Sequence, residues 1–133
     1  MRALLDTHIL VWWFDGSSRL SPAQAKVLRE AREGEEPLWV ADITLWEIAN
    51  LVNLGRIELR LPVRDWLERA TAPPLVRRLP ITPAVAAEVV ALPPEFHRDP
   101  ADRLIVASAR VLGATLLTQD GRIIDSGVVS TLS

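Results

Sequence analysis

The 133-residue chain contains no cysteine, so disulfide staples and thiolate zinc sites are both excluded, and a reducing compartment is compatible with it. No apolar stretch approaches the ~20 residues needed to span a bilayer. At the N-terminus, Met1-Arg2-Ala3-Leu4-Leu5-Asp6 meets an acid before a signal-type run can form. A soluble, cytoplasmic protein without a membrane partner is expected. An excess of positive charge is missing as well: 15 Lys and Arg against 17 Asp and Glu give a net charge of -2. That balance argues against a module that holds nucleic acid by bulk field alone. No internal repeat, low-complexity tract or long linker interrupts the chain, and its length suits one domain over residues 1–133. Apolar surface, by contrast, is plentiful. Apolar residues make up 49% of the chain, five of them tryptophans, and mean hydropathy is +0.17. Part of that surface is expected to be covered by a partner or a second copy.

Arg2 to Leu5 reads as a short buried strand that turns into a helix at Asp6-Thr7. Ser21-Pro22 pairs an N-cap with proline at the first helical position and opens a helix to about Glu33, before Gly34. Pro37 to Ala41 predicts a second strand, and Asp42 a cap for a helix from Ile43 to Leu54 that Gly55 terminates. Pro62 introduces a short helix to about Ala70. Thr71-Ala72-Pro73-Pro74 breaks it before a third strand from Leu75 to Leu79. Thr82-Pro83 opens a helix that Pro93-Pro94 stops at about Leu92, and Asp99-Pro100 opens another to Leu112, stopped by Gly113. Thr115 to Thr118 is a fourth strand, Asp120-Gly121 a turn, and Val128 to Ser130 a fifth strand. Strands alternating with helices imply right-handed crossovers. The expected fold class is therefore α/β, a three-layer α/β/α sandwich around a mainly parallel sheet of four to five strands.

In an open parallel sheet, ligands bind beyond the carboxyl ends of the strands. Asp6 directly follows strand one, and Asp120 stands two residues past strand four. Asp102 lies in the first turn of the helix entering strand four, and Glu47 in the second turn of the helix after strand two. Each acid also has a structural explanation. Asp6 and Asp99 can cap helices, Asp102 can complement a helix dipole, and Asp120-Gly121 is an ordinary turn pair. Glu47 is harder to explain that way. It projects close to Ile43, Leu51 and Leu54, in a helix whose other faces carry Leu45, Trp46, Ile48 and Val52. A carboxylate there is partly buried and needs a partner, an arginine or a cation, because burying an unpaired charge costs on the order of several kcal/mol. If the four acids converge, their repulsion raises their pKa values unless a cation sits between them. Oxygen ligands without a Cys/His cluster select Mg²⁺ or Mn²⁺ over zinc, and such an ion suits phosphodiester hydrolysis.

Two other readings compete. A phosphatase with Asp6 as covalent nucleophile would want a second Asp two residues on, where His8 stands, or a lysine after a late strand, whereas the only lysine is Lys26. A non-catalytic regulatory or RNA-binding domain would leave the acids as caps, which suits Asp6 and Asp99 but not Glu47. His8 and His97 are read as structural, since a metal-activated water needs no side-chain base.

Leu4-Leu5-Asp6-Thr7-His8, Trp46-Glu47-Ile48-Ala49, Arg98-Asp99-Pro100-Ala101-Asp102-Arg103 and Leu117-Thr118-Gln119-Asp120 together resemble the PIN domain, and more narrowly the VapC-type toxins, in order from residue 4 to about 130. The resemblance implies an endoribonuclease dependent on Mg²⁺ or Mn²⁺, the toxin of a VapBC-type pair. Asp6, Glu47, Asp102 and Asp120 match the acidic set that holds the metal, Asp120 at the family's least uniform position. It also implies that Asp99 caps and supports the helix bearing Asp102, and that the hydroxyls of Thr7 and Thr118 orient a carboxylate or a metal-bound water. The implied partners are an RNA substrate, a cognate antitoxin and a second copy in a homodimer. Trp12, Trp13 and Trp46 are candidates for the covered surface. Arg98, Arg103 and Arg110 are candidate contacts to RNA phosphates, the last two seven residues apart on one helical face.

Overall fold

The computed structural model describes residues 1–34 and 36–133. Its centre is a parallel sheet of β1 (Ala3–Leu5), β2 (Leu38–Ala41), β3 (Val76–Leu79), β4 (Thr115–Leu117) and β5 (Thr131–Leu132), in spatial order β3-β2-β1-β4-β5. Between the strands run α1 (Thr7–Phe14), α2 (Pro22–Glu33), α3 (Asp42–Asn53), α4 (Val63–Ala70), α5 (Pro83–Ala91), α6 (Pro100–Leu112) and α7 (Gly121–Ser126).

Successive strand residues point to opposite faces, and here both faces are covered. Ala3, Leu5, Leu38, Val40, Val76 and Leu117 pack with Ile9 and Leu10 of α1, Leu28 of α2, Ile48 of α3 and Trp66 of α4. Leu4, Ala41 and Leu116 face the other way, onto Ile105, Val106 and Ala109 of α6, Leu92 and Ile123. The expected three-layer sandwich is therefore the one observed.

Most helix ends follow the capping signals. Ser21 accepts from Gln24 N in a full capping box, Thr82 accepts from Val85 N, and Asp99 accepts from Asp102 N ahead of Pro100. Gly113 ends α6 at φ +67°, a left-handed conformation that side chains resist.

Three local expectations are corrected. Asp42 does not cap α3: β2 runs straight into the helix, Ala41 is the N-cap, and Asp42 is the first helical residue, 3.7 Å from Arg78 Nε of β3. Asp120-Gly121 is no simple turn, because Asp120 Oδ1 accepts from Arg122 N and starts α7, whose Ile123 is fully buried. A six-residue helix is too short to show a periodic pattern. The fifth strand is Thr131–Leu132 rather than Val128 to Ser130: α7 and Gly127 intervene, so the chain reaches the β4 edge later, pairing Thr131 with Leu116.

The chain lays β2 and β3 on one side of β1 and then β4 and β5 on the other. The direction reverses between β1 and β4, which opens a crevice outside their carboxyl ends.

Candidate active site

Asp6 stands in that crevice. Its backbone N–H donates to Leu117 O at 3.0 Å, extending the β1–β4 ladder by one step. Its carboxylate is buried, with Oδ1 accepting from Thr7 N at 2.8 Å and Oδ2 from Thr118 Oγ1 at 2.7 Å. One oxygen is thus held by the start of α1 and the other by the end of β4. Burial pushes the Asp6 carboxyl above its ordinary range, against the pull of these two hydrogen bonds.

Glu47 comes to the same place from α3. No arginine is its partner; Thr7 Oγ1 donates to its carboxylate and lies 3.3 Å from Thr44 Oγ1, whose hydroxyl can donate in return. Glu47 is also raised, by partial burial first and by the charges of Asp6 and Asp99 after it.

Asp102, only 9% exposed, is carried in by the first turn of α6, which Asp99 caps with a 3.0 Å bond to Asp102 N. Its carboxyl is pushed up to about 7, by burial first and then by Asp6, Asp99, Glu47 and Asp120. Asp120 completes the set from the N-cap of α7, its own N–H donating to Thr118 Oγ1 at 3.0 Å. Thr118 therefore ties Asp120 to Asp6 through one hydroxyl.

All four acids and Asp99 line one cavity of about 550 Å³. Two overlapping groups have ligand atoms within 4.8 Å of one another: Glu47, Asp99 and Asp102, and His97, Asp102 and Asp120. Carboxylates gathered this closely, three of them raised by burial first and by neighbouring acids after it, fit a divalent cation in the centre, since the ion would replace repulsion by attraction. Asp99, expected only to cap and support, puts its carboxylate among the acids themselves.

Four residues at the site were not found from sequence. Arg122 brings Nη2 to 3.8 Å from Asp102 Oδ2 and 3.6 Å from Asp120 Oδ2, so a flexible cation leans over the acids from the rim. His97, read as structural, sets Nε2 at 3.4 Å from Asp102 Oδ2. Thr44 joins the hydroxyl pair under Glu47. Gln24 is fully buried, and its Nε2 donates to Thr118 O and Leu132 O, at 3.1 and 2.9 Å, locking the ends of β4 and β5 that carry the site. Only Gln24 had a visible signal, its place three residues after the Ser21 cap.

The expected basic contacts fare differently. Arg103 donates from Nη1 to Phe96 O and His97 O and from Nη2 to Val89 O, so its guanidinium is spent inside the protein. Arg110 pairs with Glu88 at 2.8 Å and donates to Val128 O. Neither is free for RNA phosphates. Arg98 is exposed but does not line the cavity, whereas Arg19, Arg56 and Arg122 do.

The sequence profile of the PIN domain matches residues 3–127. The chain belongs to the PIN domain family. It is similar to Ribonuclease VapC22 of Mycobacterium tuberculosis, 44% identical over 120 residues that cover 90% of this chain and 88% of the relative. This PIN fold also superposes on solved structures. It is similar to VapBC2 from Rickettsia felis bound to a promoter DNA fragment, with a TM-score of 0.72 at 14% identity, covering 99% of this chain and 98% of that one. A toxin–antitoxin complex from Klebsiella pneumoniae gives 0.66 at 20% identity over 98% and 96%. In the PIN domain described here, the acids meet at the reversal point of the sheet, and no helix among the described residues is long and apolar enough to cross a membrane.

Proposed function

We propose that this protein is an endoribonuclease that hydrolyses RNA phosphodiester bonds with Mg²⁺ or Mn²⁺, and that residues 1–133 act as one nuclease domain. The observation that carries the reading is the convergence of Asp6, Glu47, Asp99, Asp102 and Asp120 on one cavity at the carboxyl ends of β1 and β4. The 44% identical relative, a ribonuclease by name, supports RNA as substrate.

Asp6, Glu47, Asp102 and Asp120 would hold the ion, with Asp99 beside them. When bound, it supplies positive charge that makes water acidic enough to attack and that stabilises charge on the phosphate oxygens. The residues do the rest. Thr7 and Thr118 fix the orientation of Glu47 and Asp6, so the ligand oxygens are presented without rotamer search. Arg19, Arg56 and Arg122 line the same cavity and neutralise phosphates of a strand laid across it. The overall charge of -2 makes this local cluster necessary.

The biological reading is the toxin of a VapBC-type pair, acting in the cytoplasm and held by an antitoxin. Its support is the naming of the relative and the toxin–antitoxin assemblies among the fold neighbours. Exposed Trp46, at 58%, and Leu54, at 56%, leave apolar surface for the antitoxin or for a second copy in a homodimer. Trp12 and Trp13 are half-buried against the core and contribute less.

The test is cleavage of a structured RNA by purified protein. Cutting is expected with Mg²⁺ or Mn²⁺, none with EDTA, and none by Asp6→Asn. Undiminished cutting by that variant, or in EDTA, overturns the proposal.

A further inference from the structure

A second cavity, of about 400 Å³, adjoins the acidic one. It lies between the loop that joins α5 to α6, which contributes Pro93, Glu95, Phe96 and His97, and helix α7, which contributes Arg122, Asp125 and Ser126. Arg122 lines both cavities, and His97 bridges them too, with its ring in this one and Nε2 at 3.4 Å from Asp102. Whatever enters the second cavity therefore lies next to whatever lies over the acids.

The lining has two characters. Phe96 and His97 hold their rings 4.5 Å apart between centroids, tilted by 48°, and with Pro93 and Val128 they make an apolar, partly aromatic wall. Both ring nitrogens of His97 are buried, Nε2 towards Asp102, so His97 offers the cavity no polar edge and the carboxylates must supply it. Glu95 and Asp125, one from each wall, are exposed carboxylates that accept hydrogen bonds and cannot donate. A flat, π-faced group that presents hydrogen-bond donors at its edge, attached to a phosphate that reaches Arg122, satisfies all of these features.

We infer that this cavity is a nucleobase subsite, taking an unstacked guanine that neighbours the scissile phosphate, with Glu95 or Asp125 accepting from its edge and Arg122 holding the intervening phosphate. Guanine is the choice because its Watson–Crick edge sets two donors, N1–H and N2–H₂, side by side, the match to a two-oxygen carboxylate; the other bases offer donor groups singly. Unpaired bases in single-stranded RNA are read in this way, by stacking on rings and by hydrogen bonds to their edges. The cavity volume lies in the range of small-ligand sites, about 300 to 1,000 Å³. The inference rests on the ribonuclease reading for its biology, but binding of the base does not require cleavage.

The experiment separates the two. The full-length protein in EDTA is titrated with 5′-GMP, AMP, CMP and UMP while ¹H–¹⁵N chemical shifts are followed. GMP is expected to bind tightest and to move the signals of residues 95–97 and 122–128. The double variant Glu95→Gln, Asp125→Asn alters only exposed side chains, and it should weaken GMP binding about 10-fold or more, the discrimination typical of a base-edge contact. In parallel, cut sites are sequenced from a randomised RNA incubated with Mn²⁺. The wild type should show guanine at one fixed position beside the cut, and the double variant should flatten that preference. GMP binding without any RNA cutting would overturn the ribonuclease reading and leave this subsite standing. Equal or absent binding of the four nucleotides, shifts confined to other residues, or cutting with no base preference would overturn the subsite.

Discussion

Replacing Asp102 by Asn should stabilise the metal-free protein while destroying its activity. Asp102 is nearly buried, and its carboxyl is raised from the ordinary 3.8 to about 7 by burial and by four neighbouring acids. Between those two values the folded protein binds a proton that the unfolded chain has released, so folding stability falls as pH rises through that window and stays low above it. At 1.36 kcal/mol per pH unit, the interval corresponds to a ceiling of about 4 kcal/mol at pH 8. Water at the cavity mouth and the nearby Arg122 screen the charge, and the variant loses the attraction to Arg122, so a net gain of about 1–2 kcal/mol is expected. For a chain of this size that is roughly 3–8 °C in Tm.

The assay is thermal unfolding followed by circular dichroism in EDTA at pH 5 and pH 8. The gap should be smaller at pH 5, where the folded protein keeps the Asp102 proton but the unfolded chain has already released it, and wider at pH 8, with Asp102→Asn the more stable at both. Adding Mn²⁺ at pH 8 should then raise the wild type more than the variant, because only the wild type has the full carboxylate set to bind it. A variant that melts at or below the wild type in EDTA at pH 8 would refute the argument that these acids repel one another in the empty fold.

Two further substitutions divide capping from charge and plug from core. Asp99→Asn keeps the α6 cap and should leave Tm unchanged or higher, yet raise the Mn²⁺ concentration for half-maximal activity about 10-fold, because the Asp99 carboxylate stands with Glu47 and Asp102; an unchanged metal requirement would return Asp99 to capping alone. Gln24→Leu fills the same space but strips the donors from Thr118 O and Leu132 O, and it should cost about 1–3 kcal/mol in urea unfolding; an unaffected midpoint would mean that those carbonyls find water instead.

The layers and the long helices were legible in the sequence because each rests on local chemistry that repeats. Cap-and-proline pairs at Ser21-Pro22, Thr82-Pro83 and Asp99-Pro100 opened helices where expected, and Gly113 closed one. Elements of a few residues were not legible: α7 hides behind an Asp-Gly pair, and β5 is placed by its pairing with β4 rather than by its own residues. At the site, Asp6, Glu47, Asp102 and Asp120 were readable from position and from the family pattern. The fate of the arginines was not, since two of those proposed for RNA turn inward to backbone carbonyls and Glu88, while Arg122, on the unread helix, reaches the acids.

That exchange follows from where a guanidinium can find acceptors. Arg103 lies one residue past Asp102, but a helix turns successive side chains by about 100°, so it faces away from the acids and meets the open carbonyls at the end of α5 and in the loop after it. Arg122 lies two residues past Asp120 in a first helical turn where its own N–H holds that carboxylate, and its side chain is 66% exposed. It contacts Asp102 and Asp120 at salt-bridge distance with little penalty for leaving them. A cation held so loosely can trade carboxylates for a phosphate as an ion enters, which a buried arginine cannot. The local basic contacts of this acidic protein are thus carried by residues whose charge remains in water.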